Sequence, residues 1–513
     1  MAEVSAYSQS RIAKNTIVLC IRMLITLGIT LLSSRILLST LGVDDYGVYN
    51  IIGGIVVLLS IVSNSMMSAT QRFITYEIGK GSVESVNAVF SMSMIAHLII
   101  IGVIFVLGET VGLWYVQNKL NVPEGREAAA FWVYQLTLMT VAVSLVRSPY
   151  NASVIAYEKM SFYAFMSIAE SALKLLLIYV LTLVTFDKLI TYALFVLSIN
   201  ILLLLLYSLY CRRQFVTCNF TFTVDRTYFR RLFGYLGWTI LGSASTLGTQ
   251  QAGNLIINKF LGVAVNAAYG ISAQVSAAIN SFVSSFQMAF TPQITKLYAQ
   301  KRMPEFYQLC NRAALLSYYI LFLVSFPIIL NIEYVLDIWL VDVPEYAGQF
   351  CTLLIIYSLI DSIQAPFWIG INSTGNIRTY EIWLSIVLFL NIPFSYFALK
   401  MGLPAYSVLL VRVLLNLLTA IFRTIQVKVQ LQFPLRTYLL NVVLRVLAVT
   451  AASCIIWHII PYDSICDSLL HFGLLYVAAF ASVAILIMLV GFSREDRTMI
   501  ISFIRKRLKM TRL

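Results

Sequence analysis

Charge is scarce in this sequence, and acid is scarcer than base. Asp, Glu, Lys and Arg make up 12% of the 513 residues, against 60% hydrophobic, which excludes a soluble globular domain. Nucleotide and catalytic signatures are absent too. No G-x-x-x-x-G-K-[ST] phosphate loop occurs, so the chain has no ATPase of its own, and there is no H-E-x-x-H, G-x-S-x-G or C-x-x-C motif. Cysteine occurs seven times without forming a framework. Cys20, Cys310, Cys351 and Cys454 fall in apolar segments, and Cys211 and Cys218 in an inner loop; Cys466 stands alone outside, without a disulfide partner. The Cys211–Cys218 spacing fits no usual zinc pattern, so no metal is expected, and no cofactor or catalytic residue either. No loop is long enough for a domain: the longest inner one is about 210–235 and the longest outer one about 109–127.

Long apolar runs fill the space instead. A helix crosses a bilayer in roughly 20 residues, and fourteen such segments can be counted. They are about 16–38, 47–70, 85–108, 128–148, 162–184, 188–209, 236–258, 266–290, 310–331, 347–372, 380–399, 403–422, 440–460 and 468–491. The first run is too long for a cleaved signal peptide and leads directly into Arg35 and the next span. Segments seven to twelve repeat segments one to six at an offset of 220 residues. Leu41-Gly42-Val43 returns as Leu261-Gly262-Val263, Tyr49 as Tyr269, Ser65 as Ser285, and Ile74-Thr75 as Ile294-Thr295. An even-numbered repeat keeps both halves in one orientation, related by an axis along the membrane normal. The expected fold is therefore an all-α polytopic membrane protein of about 14 transmembrane helices. Its parts are an N-terminal six-helix lobe (1–215), a C-terminal six-helix lobe (216–435), an additional helix pair (436–493) and a basic tail (494–513).

The net charge of +13 suggests nucleic acid until its distribution is read. With the N-terminus inside, inner loops and tails hold 26 of the 36 Lys and Arg, and outer loops hold five. That bias is the positive-inside pattern; it places both termini in the cytoplasm and makes the charge topological. The tail carries seven Lys and Arg, either solvated or lying on anionic lipid.

Polar residues inside the spans mark a path. Ser60, Asn64, Ser68 and Gln71 in segment two follow steps of four, four and three, so they share a helical face. Asn280, Ser284 and Gln287 do the same in segment eight, and the repeat maps Ser60 onto Asn280 and Asn64 onto Ser284. Such stripes are unfavourable against hydrocarbon and point either to a shared cavity or to hydrogen bonding between helices. Segment seven adds Gln250 and Asn254 among four glycines, so segments one, two, seven and eight form the expected cavity walls.

Seven ionisable residues lie within the segments: Arg22, Arg35, Glu170, Lys174, Asp361, Arg412 and Arg445. Buried charge in a membrane is costly and marks candidate function. Arg22 and Arg35 are the leading anion ligands because both lie on a wall helix. Their separation of 13 residues puts them about 220° apart around it, so both cannot face one cavity squarely. Arg72, closing segment two, is a third candidate. Glu170 and Lys174, one turn apart, can neutralise each other. Asp361 is either a charge partner or a coupling site.

Ser34-Arg35-Ile36-Leu37-Leu38-Ser39-Thr40-Leu41-Gly42-Val43-Asp44-Asp45-Tyr46-Gly47-Val48-Tyr49 resembles the first loop of bacterial polysaccharide flippases. Gln71-Arg72-Phe73-Ile74 with Gly79-Lys80-Gly81, and the later echoes Asn254 to Tyr269 and Pro292 to Tyr298, resemble the same group. These are the Wzx-type O-antigen and capsule flippases of the multidrug/oligosaccharidyl-lipid/polysaccharide (MOP) exporter superfamily, and the resemblance extends over the whole chain. It implies a MATE-like, two-lobed carrier of the bacterial inner membrane. It also implies movement of an undecaprenyl-pyrophosphate-linked oligosaccharide to the periplasmic leaflet, alongside a polysaccharide polymerase and chain-length proteins. The residues suit that cargo, since amide and hydroxyl stripes can bond a sugar and arginine's planar fork matches phosphate oxygens. A multidrug antiporter of the same superfamily and a lipid II flippase are the nearest rivals. A membrane polymerase or glycosyltransferase is a more distant one, because its catalytic outer loop is missing.

Overall fold

The computed structural model describes residues 2–118, 125–222, 225–340, 343–459, 469–493 and 497–498, and among these every regular element is helical. An apolar chain in a bilayer has this solution available because a helix satisfies its backbone groups within the segment. The first element, α1, runs Ala2–Lys80 and breaks only at Gly42, with φ 81° and ψ 172°. After α2 (Val83–Leu107) come a π turn, Gly108–Gly112, and the short α3 (Leu113–Asn118). Three long helices complete the first repeat: α4 (Glu127–Ala156), α5 (Met160–Thr182) and α6 (Lys188–Gln214).

The second repeat copies this order. Its first element, α7 (Arg226–Ala299), breaks only at Gly262, with φ 79° and ψ −173°. Then follow α8 (Met303–Leu330), the short α9 (Ile332–Trp339), α10 (Ala347–Thr374), α11 (Arg378–Lys400) and α12 (Ser407–Leu431). The two hinge glycines are 220 residues apart, as are the starts of α2 and α8 and of α4 and α10. Beyond the repeat lie α13 (Leu435–Tyr438), a π turn at Leu439–Val443, α14 (Leu444–Ile459) and α15 (Leu469–Leu486).

Eleven helices among the described residues are long and apolar enough to cross a membrane. The three expected segments missing from that count, 47–70, 236–258 and 266–290, are helical within α1 and α7. The last two carry many Ser, Thr, Asn or Gln residues, which dilute their hydropathy. Of the tail, only Arg497 and Thr498 fall among the described residues.

The chain forms two compact units. One holds Met1–Ala244 with Met288–Arg302 and Asn372–Ile382; the other holds Ser245–Gln287, Met303–Ile371 and Trp383–Leu513. The core of the first joins Leu19, Ile155, Met160 and Ala289, with a second cluster of Val48, Ile52, Val133 and Leu189. The core of the second gathers Ile257, Leu336, Phe350, Leu354 and Leu409.

An ion triad closes one end of the first unit. Arg126 donates to both carboxylate oxygens of Asp45, at 2.7 and 2.6 Å, and to Asp187 at 2.5 Å. Asp187 also accepts the N–H groups of Leu189 and Ile190, capping α6. Burial favours the protonated form of Asp187, but the bonds from Arg126 and the backbone outweigh it and hold the carboxyl below its ordinary range. A depressed folded value stabilises the protein above the ordinary Asp pKa and is lost as pH falls through the depressed one. Arg126→Ala is therefore expected to lower the melting temperature by several degrees at neutral pH. The gap from wild type should narrow below about pH 4. Thermal unfolding across a pH series checks this; a gap independent of pH contradicts it.

Candidate functional site

The first unit brings two cations to one carboxylate on α5 and a third, Arg22, to the same helix face. On α5, Tyr163, Ser167, Glu170 and Lys174 succeed one another at steps of four, three and four, so they line one face. Glu170 accepts from Lys174 at 2.7 Å and from Arg147 of α4 at 3.4 Å. Arg22 of α1 donates to the Tyr163 hydroxyl at 3.1 Å, reaches Ser167 at 3.5 Å, and sits over the Tyr163 ring with 5.1 Å to the centroid. Arg147 lies 5.9 Å from the Tyr207 ring centroid. Glu170 stands ten residues into α5 and Arg147 nine residues before the end of α4. At 1.5 Å per residue both are about 14–15 Å from those helix ends, near mid-span.

The sequence put Arg22 on a cavity wall and read Glu170 and Lys174 as a separate charge pair; the structure sets all three along one face of α5 and adds Arg147. Arg147 was missed because segment four was ended at 148, which placed this residue at the inner edge. In the structure α4 continues to Ala156 and carries Arg147 deep into the span. Arg147 also changes the role of Glu170, which is shared by two cations instead of neutralised by Lys174 alone. Arg22 and Arg147 thus reach the polar face of α5 from two neighbouring helices.

Both polar stripes are accessible. Asn64 and Ser68 in the first unit are exposed and make no hydrogen bond among the described residues. In the second unit Asn280 and Ser284 are exposed, and their bonds stay within α7, to Ser276 and Ser281. Neither stripe joins one helix to another through these residues. That favours a wetted surface over helix-to-helix bonding, since exposed amides against lipid are unfavourable. Gln71, Gln250, Asn254 and Gln287 are half-buried along the same elements, and the Ser60 side chain lies outside the described residues.

Arg35 is exposed and takes no part in the cation cluster. Arg72 is engaged elsewhere in the first unit. It donates to the backbone carbonyls of Asn372 and Ser373 at 3.1 and 2.9 Å and stacks over Phe73, Tyr76 and Tyr235. Near it, Lys296 and Gln293 bond Glu158 at 2.5 and 2.9 Å. These contacts tie α1, α4 and α7 together with the end of α10. In the second unit Asp361 pairs with Arg423 at 3.3 Å, while Arg412 lies over the Tyr357 ring at 4.7 Å.

Comparison with known proteins bears on the fold. Residues 239–397 match the MatE family. No curated protein matches the chain. Among solved structures, a MATE transporter in the straight conformation superposes with TM-score 0.73 at 14% identity, covering 83% of this chain and 96% of the other. An outward-facing multidrug resistance MATE transporter of the MOP superfamily gives 0.70 at 15%, covering 82% and 96%. A MOP-superfamily transporter from Pyrococcus furiosus, described as having a binding pocket of reverse polarity that suggests a different function, gives 0.68 at 16%, again covering 82% and 96%. The fold is that of the MATE transporters.

Proposed function

We propose that this MATE-fold chain is a flippase for an undecaprenyl-pyrophosphate-linked oligosaccharide, moving it from the cytoplasmic to the periplasmic leaflet of a bacterial inner membrane. The observation that carries the proposal is the pair of arginines, Arg22 and Arg147, brought from two helices to the polar face of α5 in the first unit. A pyrophosphate needs charge-assisted donors, and Arg22 and Arg147 present them beside the Tyr163 and Ser167 hydroxyls. The exposed Asn and Ser stripes supply donors and acceptors for sugar hydroxyls, while the polyprenyl tail stays in lipid. No bond is made or broken, so the residues act by binding and release. Both termini are cytoplasmic in this reading, and a polysaccharide polymerase and chain-length proteins act on the delivered unit.

A cation or drug antiporter is the second reading. It is favoured by the MatE match over 239–397 and by Glu170, a carboxylate within the first unit. Deleting the gene and assaying polyprenyl-linked saccharides by leaflet in spheroplasts separates the two. Repeat units trapped on the cytoplasmic side, with surface glycan lost, are expected. Unchanged glycan lipids with new sensitivity to cationic dyes point to the antiporter, and units that reach the periplasm unpolymerised point to a polymerase.

A further inference from the structure

We infer that the second unit carries an anionic phospholipid site at the start of α8, outside the repeat-derived stripes and independent of the cargo. A cavity of about 620 Å³ opens there between the first turns of α8 and the α13–α14 segment. From α8 come Gln308, Asn311 and Arg312; from the facing segment come Thr437, Asn441 and Arg445, at steps of four. Two guanidiniums, amides and three hydroxyls line it, and no carboxylate does so among the described residues. Arg312 lies nine residues into α8 and Arg445 ten residues past the start of α13. Each is therefore about 14–15 Å along its helix, at a common depth.

Arg445 makes no hydrogen bond or ion pair among the described residues, although it lies within a membrane-length helix. A guanidinium so placed calls for a counter-charge. The π turn Leu439–Val443 adds a second sign of a built site. It widens the helix where Asn441 enters the cavity, and such turns recur at functional positions at a cost in backbone regularity. Beside the cavity Leu440, Leu444 and Leu447 are 51, 58 and 59% exposed, forming an apolar strip along which acyl chains can lie. Phosphodiester oxygens between two arginines with acyl chains on a leucine strip is the chemistry of an anionic lipid, and basic pockets between membrane helices bind such headgroups. The pocket is built between α8 and the appended helices, which gives the latter a purpose beside that of the cavity walls.

The test uses the full chain purified in detergent, read by thermal unfolding and by mass of retained lipid. Phosphatidylglycerol is expected to raise the wild-type midpoint and phosphatidylcholine to leave it unchanged, with retention falling as salt rises. Arg312→Gln/Arg445→Gln should lose about tenfold or more in retention, the equivalent of one charge-assisted bond, while Arg445→Lys retains part of it. Equal phosphatidylglycerol retention by wild type and the double variant overturns the site. So does a wild-type response that is indifferent to headgroup charge and salt, a measurement that stands even if a variant fails to fold. A midpoint shift with inorganic phosphate but none with phosphatidylglycerol also overturns it, in favour of a soluble anion.

Discussion

Arg22→Gln and Arg147→Gln are each expected to reduce transport of a pyrophosphate-linked saccharide by about tenfold or more, because a lost charge-assisted hydrogen bond is worth about 1.5–3 kcal/mol. Both arginines reach the site from different helices, α1 and α4, onto the polar face of α5. Removing one leaves the phosphate with fewer donors but leaves the stripes intact. Arg147→Lys should recover part of the loss, since it restores charge without the planar fork. The discriminating variant is Glu170→Gln. For an anionic cargo its effect should be smaller than that of either arginine, because it removes the carboxylate that Arg147 and Lys174 share and leaves both cations. For a cationic cargo the order reverses, with Glu170 dominant. Initial transport rates in proteoliposomes, normalised to protein inserted, check the order. Equal losses for all three would reduce the cluster to a structural role.

The second large effect concerns the hinge glycines. Gly42→Ala and Gly262→Ala should each destabilise the protein by about 1–3 kcal/mol, because φ near +80° with ψ near 180° is a region only glycine occupies readily. An added Cβ would meet nothing within 4 Å at either position, so the penalty is conformational and not a clash. The double variant should show close to additive losses, as the hinges sit in separate compact units. Thermal unfolding of the single and double variants tests this. Alanine tolerated at one hinge but not the other would contradict the equivalence of the repeats.

Most of the scaffold was legible in the residues. The 220-residue offset shows in identities such as Tyr49 with Tyr269, and it returns as two hinge glycines with matching dihedrals. Apolar length and hydropathy located the eleven membrane-length helices. The site was legible only in part. Helical spacing put Glu170 and Lys174 on one face, but no spacing rule brings Arg147 to them, since that contact joins residues 23 apart on two helices. Arg72 has the same lesson in reverse. Its position at the end of a wall segment suggested a ligand, whereas its guanidinium is held by carbonyls 300 and 301 residues away.

The sequence by itself determined what a one-dimensional pattern can carry: helical class, the repeat, span count to within the polar segments, and the faces on which Ser, Asn and Gln align. Those follow from local physics, because hydropathy over about 20 residues and the 3.6-residue turn are properties of neighbours along the chain. Only the tertiary structure decided which charges meet. It gathered Arg22, Arg147, Glu170 and Lys174 into one cluster, withdrew Arg72 into a backbone tie, and set Arg312 opposite Arg445. Charge pairing in a membrane depends on which helix packs against which, and hydrophobic segments of similar composition do not encode that order locally.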